Sequence, residues 1–206
     1  MVSAIATPNR QHVTEIYVGG AADTKTRLVA TYAEERQRRF AQDTFRDARY
    51  FPHYAPRRIL RLARQRADMG HLIVMTGHSW GGDTALRVLR ALHPRPVDLL
   101  VCVDPVPKSR LNPPPAPRNA ARMIHVDAQP RLPNRSDRIK DMGQWVGGTL
   151  HRRLSGADLR IIADLNHFAF AQMMHMPGED GVSAADLIDR IGQVRPGPAA
   201  RTSLAG

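Results

Sequence analysis

Gly77-His78-Ser79-Trp80-Gly81-Gly82 is the stretch that decides the fold. The apolar run 71–76 in front of it predicts a buried strand, and residues 83–92 behind it predict a helix. A G-x-S-x-G pattern between a strand and a helix is typical of a nucleophile elbow, which lifts a serine hydroxyl above the edge of a sheet. Side chains at positions 77 and 81 would collide in so tight a turn, so glycine fits both. The alternative is a glycine-rich loop with an incidental serine.

Predicted strands and helices alternate along the rest of the chain. This alternation predicts an α/β protein with a mainly parallel sheet flanked by helices, in which function sits at the carboxyl ends of the strands. Two further segments, the proline-rich 105–118 and the polar 134–154, are the candidates for a cover over the site. The predicted strands are 13–18, 48–51, 71–76, 97–103, 123–126 and 159–163, and the predicted helices are 24–47, 57–68, 83–92 and 184–194.

The length of 206 residues suits one domain, with a mobile segment 1–12 before it and a disordered tail 196–206 after it. No apolar run approaches the roughly 18 residues that span a bilayer. The N-terminus lacks the basic and apolar regions of a secretory signal peptide, so we expect a cytoplasmic protein, with export by a signal-independent route left open. Cys102 is the only cysteine, which excludes an intramolecular disulfide and favours a small buried side chain.

The chain is strongly basic, with 30 Lys and Arg against 19 Asp and Glu and a net charge of +11. Such a charge attracts nucleic acid, anionic membranes or acidic substrates. Because the arginines are scattered and no nucleic-acid motif occurs, we expect no nucleic-acid partner, while an anionic membrane surface stays open beside a merely solvated basic surface. No metal-ligand spacing and no nucleotide motif is present, so we expect neither a metal nor a cofactor.

Ser79, Asp104 and His167 each follow a predicted strand. A serine hydroxyl needs a base to take its proton, and histidine in turn needs a carboxylate to fix its tautomer. The order Ser, Asp, His along the chain is the order of α/β-hydrolase triads. Asp127, after the strand 123–126, is the alternative acid. His78 adjoins the serine, and we expect its side chain to point away from the triad.

An oxyanion that forms on a substrate needs two backbone N–H donors. Trp80, directly after the serine, is predicted to supply one of them. The other is predicted in the loop after the first strand, at Gly20 or Ala21, where glycine lets the backbone approach a substrate closely. A simple turn is the alternative explanation of this glycine pair.

Three short motifs within residues 13–170 resemble those of compact α/β hydrolases. The stretch 77–82 resembles the lipase box, 103–107 (VDPVP) resembles the segment that carries the acid in pancreatic-type lipases, and Asn166-His167-Phe168 resembles the histidine segment of many lipases and thioesterases. The resemblance implies an α/β-hydrolase domain at 13–195, in a minimal version that lacks the first strands and begins at the third strand of the full fold.

The same resemblance implies a serine esterase or lipase. Ser79 would attack a carboxylic ester, either a small molecule or a lipid, and form an acyl-serine intermediate. Three alternatives remain open from the sequence: a thioesterase, a lipase-like effector that attacks phospholipids, and a non-catalytic binding protein on a hydrolase fold.

Overall fold

The computed structural model describes residues 11–150 and 154–193. In these residues six strands form a single sheet in which every neighbouring pair is parallel, in the order β2-β1-β3-β4-β5-β6. The predicted α/β class with a parallel sheet is therefore confirmed. The strands are β1 (Val13–Gly19), β2 (Arg46–Pro52), β3 (Leu72–His78), β4 (Leu99–Val103), β5 (Met123–Ala128) and β6 (Leu159–Ala163).

Helices cover both faces of the sheet, so the central strands are apolar on both sides. One apolar cluster joins the sheet to the helices at 28–39, 170–175 and 184–190, and a second joins its other face to the helices at 56–68 and 80–92. The helices are α1 (Asp23–Thr26), α2 (Leu28–Arg39), α3 (Pro56–Asp68), α4 (Trp80–Leu92), α5 (Arg135–Gly147), α6 (Phe170–His175) and α7 (Ala184–Arg190).

The prediction of one long helix at 24–47 is wrong, because this segment forms two shorter helices. Arg27 adopts a left-handed conformation (φ 54°) between α1 and α2, and α2 ends at Arg39. The chain then enters β2 at Arg46, whose guanidinium pairs with the buried Glu15 carboxylate on β1. Residues 40–45 form turns instead of helix, and the buried ion pair with Glu15 holds Arg46 in the sheet.

Helix α5 was not predicted, since residues 134–154 show no clear apolar periodicity. Asn134 begins it with a capping box, in which its side chain accepts from Ser136 and its own N–H donates to Asp137. The buried residues of α5 include Ser136, Asp137 and Lys140. A helix with a polar buried face carries no hydrophobic signal, which is why sequence patterning misses it.

Residues 1–10 of the predicted mobile segment and the whole predicted tail 196–206 lie outside the described residues, so both stay predictions. The terminal helix predicted at 184–194 ends at Arg190. Among the residues that the structure describes, no helix is long and apolar enough to cross a membrane.

Candidate active site

The carboxyl ends of three strands bring Ser79, Asp104 and His167 together. The three residues follow β3, β4 and β6, and all are buried or nearly so. His167 Nε2 lies 3.1 Å from Ser79 Oγ, and His167 Nδ1 lies 2.6 Å from Asp104 Oδ2. With Nδ1–H donating to the carboxylate, Nε2 is free to accept the serine proton. The structure thus places a serine hydroxyl, an imidazole and a carboxylate in one hydrogen-bonded line.

The turn that carries Ser79 is strained and closely packed. Ser79 has φ 53° and ψ −126°, a conformation that residues other than glycine rarely adopt. A Cβ on Gly77 would lie 2.5 Å from the Gly81 carbonyl oxygen, and one on Gly81 would lie 2.1 Å from that of Val18. Both glycines are therefore needed sterically, and the predicted strand-turn-helix elbow is present.

Asp104 uses both carboxylate oxygens. Oδ2 accepts from His167, while Oδ1 accepts from the Ala128 N–H at 3.3 Å and lies 3.4 Å from Lys140 Nζ. Lys140 Nζ also donates to the Ala128 carbonyl at 2.7 Å. Asp104 itself sits at φ 40°, beyond the end of β4. The contacts from Ala128 and Lys140 hold the carboxylate in line with the imidazole.

The alternative acid, Asp127, does not hold His167. Its carboxylate accepts from Arg160 and from Gln129, each at 2.9 Å. Val126 and Ala128 on β5 face the apolar cluster that includes α6, so strand alternation turns Asp127 to the other face of the sheet. Of the two candidate acids, the structure brings Asp104 to the histidine.

A second carboxylate, Asp137, positions the loop of His167 through its backbone. Asp137 Oδ1 accepts the His167 N–H at 2.9 Å, and Oδ2 accepts from the Asn166 amide at 2.7 Å and the Asn134 N–H at 2.8 Å. Burial raises the pKa of Asp137, but these donors outweigh it and hold the pKa below its usual value. The N-x-x-D capping pattern at 134–137 is the sequence signal that could have located this residue.

His78 contacts the histidine of the site, so the expectation that it points away is wrong. Its ring centroid lies 4.7 Å from that of His167, and its Nε2–H donates to the His167 carbonyl at 2.9 Å. As the last residue of β3, His78 faces the same side of the sheet as Val74 and meets Phe170 of α6. Burial and repulsion from His167 lower the pKa of His78 to about 3, so the ring stays neutral.

The predicted oxyanion donors flank the serine. Trp80 is the first residue of α4, where N–H groups have no intrahelical acceptor. A Cβ on Gly20 would lie 2.8 Å from Ser79 Cβ and 3.3 Å from its Oγ, so the backbone after β1 lies directly against the Ser79 side chain. Ala21 lines the same cleft. The structure therefore brings Trp80, Gly20 and Ala21 to the serine.

The cleft over Ser79 is small, with a volume of about 40 Å³. Gly20, Leu28, Ile139 and Phe168 line it together with the serine and the histidine. A larger groove of about 700 Å³, beside α2 and β2, contains none of the predicted site residues. The candidate site is therefore chosen by its hydrogen-bonded Ser79, His167 and Asp104 side chains and not by the volume of its cleft.

The Cys102 thiol is not prepared to act as a nucleophile. Burial raises the pKa of the Cys102 thiol to about 12, so a nucleophilic thiolate is not available. Within residues 11–150 and 154–193, no group of three or more His, Cys, Asp and Glu side chains is arranged to hold a metal ion.

No protein-family model and no curated protein matches the chain. Among solved structures, a protein of Xanthomonas campestris assigned to the alpha/beta hydrolase superfamily is 21% identical, with a TM-score of 0.48, and the match covers 78% of this chain and 91% of that one. A second Xanthomonas campestris protein, a serine hydrolase without a lid, is 16% identical (TM-score 0.46; 89% and 82% covered). The type II thioesterase of the yersiniabactin biosynthetic pathway is 10% identical (TM-score 0.41; 82% and 94% covered).

Likeness at this level transfers no activity. The chain's own features agree with the α/β-hydrolase fold: parallel strands, a serine at a strand-helix elbow, and site residues in the order Ser, Asp, His. Of the features that the sequence predicted, the structure itself shows the parallel α/β sheet and the strand-turn-helix elbow.

Proposed function

We propose that this α/β-hydrolase fold carries a serine hydrolase that cleaves carboxylic esters through an acyl-Ser79 intermediate. The observation that carries the proposal is the hydrogen-bonded line from Ser79 Oγ through the two nitrogens of His167 to Asp104. Each member has the chemistry that its position requires: a hydroxyl as nucleophile, an imidazole as base and a buried carboxylate as its partner.

In the acylation step, Ser79 Oγ attacks the ester carbonyl carbon while its proton passes to His167 Nε2. The carbonyl oxygen becomes an oxyanion, which the N–H of Trp80 and a second N–H from Gly20 or Ala21 stabilise. Asp104 orients the ring through Nδ1–H and stabilises the imidazolium. When the intermediate collapses, the bond to the alcohol breaks and Nε2–H donates its proton to the leaving oxygen.

In the deacylation step, His167 Nε2 removes a proton from water, and the resulting oxygen attacks the acyl carbon of the Ser79 ester. The second tetrahedral intermediate uses the same N–H donors. It collapses to a free carboxylic acid, and the proton on Nε2 returns to Ser79 Oγ. The cycle as proposed uses only side chains and backbone N–H groups of the chain together with water.

Thioester cleavage is the alternative that shares these steps, because only the leaving atom differs. The small cleft of about 40 Å³ favours compact ester groups at the serine, with any longer chain lying outside it. A non-catalytic role would not explain why Ser79 is held in a strained conformation and hydrogen-bonded to His167 and, through it, to Asp104. Carboxylic esters, either small molecules or lipids, are therefore the proposed substrates.

The test is hydrolysis of p-nitrophenyl esters from acetyl to palmitoyl, together with acyl thioesters of the same chains. Wild type is compared with Ser79→Ala and with the matched control Ser155→Ala, whose serine precedes β6. We expect activity and fluorophosphonate labelling in wild type and the control, and neither in Ser79→Ala. Thioester turnover without ester turnover would favour the thioesterase, and no labelling of the wild type would refute the proposal.

A further inference from the structure

Helix α5 exposes its apolar side chains to solvent. Ile139, Met142, Trp145 and Val146 are 40%, 63%, 75% and 57% exposed. The spacing of 139, 142 and 146 puts them on one side of the helix, and Trp145 lies beside Met142 on the same outward side. Several large apolar side chains exposed on one side of a helix are typical of a binding face rather than of an ordinary solvent-exposed helix.

The opposite face of α5 is committed to the active site. Asp137 holds the His167 N–H, and Lys140 Nζ contacts Asp104 and the Ala128 carbonyl. Rotation of the helix to bury its apolar side would break these contacts and leave buried charges unpaired. The apolar side of α5 therefore points outward as a consequence of how the site is built.

This outward side is continuous with the catalytic cleft. Ile139 lines the cleft together with Ser79 and Phe168. A volume of about 40 Å³ holds little more than the reacting ester group, so a long acyl chain would extend beyond it. The exposed side chains of α5 begin where such a chain would leave the cleft.

The charges around the apolar residues select the partner. Arg135 and Arg138 are exposed on α5 among the apolar residues, Asp141 is the one exposed acidic residue of the helix, and the whole chain carries a net charge of +11. An apolar strip with Trp, flanked by arginines, is the composition of helices that lie in the interface of an anionic bilayer. A negatively charged lipid surface complements both features.

We propose that the α5 face, made of Ile139, Met142, Trp145 and Val146 with Arg135 and Arg138, docks on anionic lipid bilayers and places the Ser79 cleft at the lipid interface. The inference deepens the proposed ester hydrolysis, since it names lipid esters as the substrates that such docking would bring to the cleft. The docking itself needs no catalysis, so it can be tested separately.

The experiment uses Trp145 as its reporter. The chain has two tryptophans, so Trp80→Phe leaves Trp145 as the sole tryptophan, whose emission is excited selectively over that of tyrosine, and Ser79→Ala in the same protein prevents lipid turnover. Vesicles of phosphatidylglycerol and phosphatidylcholine are compared with phosphatidylcholine alone. We expect co-sedimentation with the anionic vesicles, a blue shift of Trp145 emission, and loss of both at high salt.

Matched variants locate the contact. Met142→Ser should weaken binding to anionic vesicles about tenfold. Met69 is 59% exposed and lies shortly before β3, away from α5, so Met69→Ser should leave the binding unchanged. Arg138→Gln should weaken binding to anionic vesicles about fivefold. Arg61 is exposed on α3, outside the α5 face, so Arg61→Gln should weaken the binding less. Three results would overturn the proposal: no binding to anionic vesicles, no blue shift of Trp145 emission in the bound protein, or equal losses of binding in the paired variants. An unshifted Trp145 in the bound protein would favour a protein partner for the α5 face.

The two proposals fail separately. Wild-type hydrolysis of p-nitrophenyl acetate without vesicle binding would refute docking and leave the esterase standing. Vesicle binding with no Ser79-dependent turnover would support the α5 face as a membrane surface and refute the proposed function.

Discussion

Lys140 Nζ lies 3.4 Å from Asp104 Oδ1, on the oxygen opposite the one that meets His167. The pair is buried, with side-chain exposures of 10% and 2%. The carboxylate therefore stands between the Lys140 ammonium on one side and the His167 imidazole on the other. Because Lys140 and His167 share this carboxylate, we expect the lysine to help hold Asp104 in line with the ring.

Lys140→Met should lower kcat/KM about tenfold, because the Asp104 carboxylate would lose one of the contacts that hold it in line with the His167 imidazole. Lys140→Arg, which keeps the charge, should retain more of the activity. The measurement is the rate of p-nitrophenyl acetate hydrolysis at a single pH, with folding checked by circular dichroism. An unchanged kcat/KM in the folded Met variant would show that the lysine does not position Asp104.

Asp104→Asn should lower kcat about 10⁴-fold, since an amide in this position favours the wrong histidine tautomer. Asp127→Asn is the matched control, because its carboxylate is bound by Arg160 and Gln129 instead of His167. Initial rates on one soluble ester compare the two variants. A larger loss in the Asp127 variant would reverse the choice of acid.

Gly20→Ala should lower kcat/KM about 100-fold, since the added methyl would lie 2.8 Å from Ser79 Cβ and displace the loop that is proposed to donate to the oxyanion. Gly156→Ala provides the control, because a Cβ there meets nothing within 4 Å. Steady-state kinetics give the comparison, and thermal melting reports on the fold. Full activity in the Gly20 variant would place the second oxyanion donor elsewhere.

His78 should make the protein labile to acid. Its pKa falls from 6.5 to about 3 on folding, so below pH 6.5 the unfolded chain binds a proton that the folded protein refuses, and stability is lost as the pH falls. Between pH 7 and 4.5 this group should remove about 2 to 3 kcal/mol. His78→Gln, whose amide can still donate to the His167 carbonyl, should lose less stability over that interval.

Urea unfolding of wild type and His78→Gln at the two pH values measures this difference. Parallel losses in the two proteins would mean that other groups cause the acid lability. The catalytic pH profile should contain no ionisation from His78, since the ring is neutral throughout the working range.

The sequence alone predicted the parallel α/β fold and the residues Ser79, Asp104 and His167. It did so because each signal is local: glycines that only a tight turn requires, and polar residues placed directly after apolar strands. Parallel strands meet at one edge, so residues that are far apart in sequence could be assigned to one place.

Only the tertiary structure decided between Asp104 and Asp127, and only the tertiary structure revealed Asp137, Lys140 and His78 as partners of the site. A polar residue on a helix looks the same in sequence whether it faces water or a buried carboxylate. Helix α5 departs from the usual pattern, because Asp137 and Lys140 point inward to His167 and Asp104 while its large apolar side chains are exposed. The direction in which a side chain points depends on packing against distant elements, and no local pattern records it.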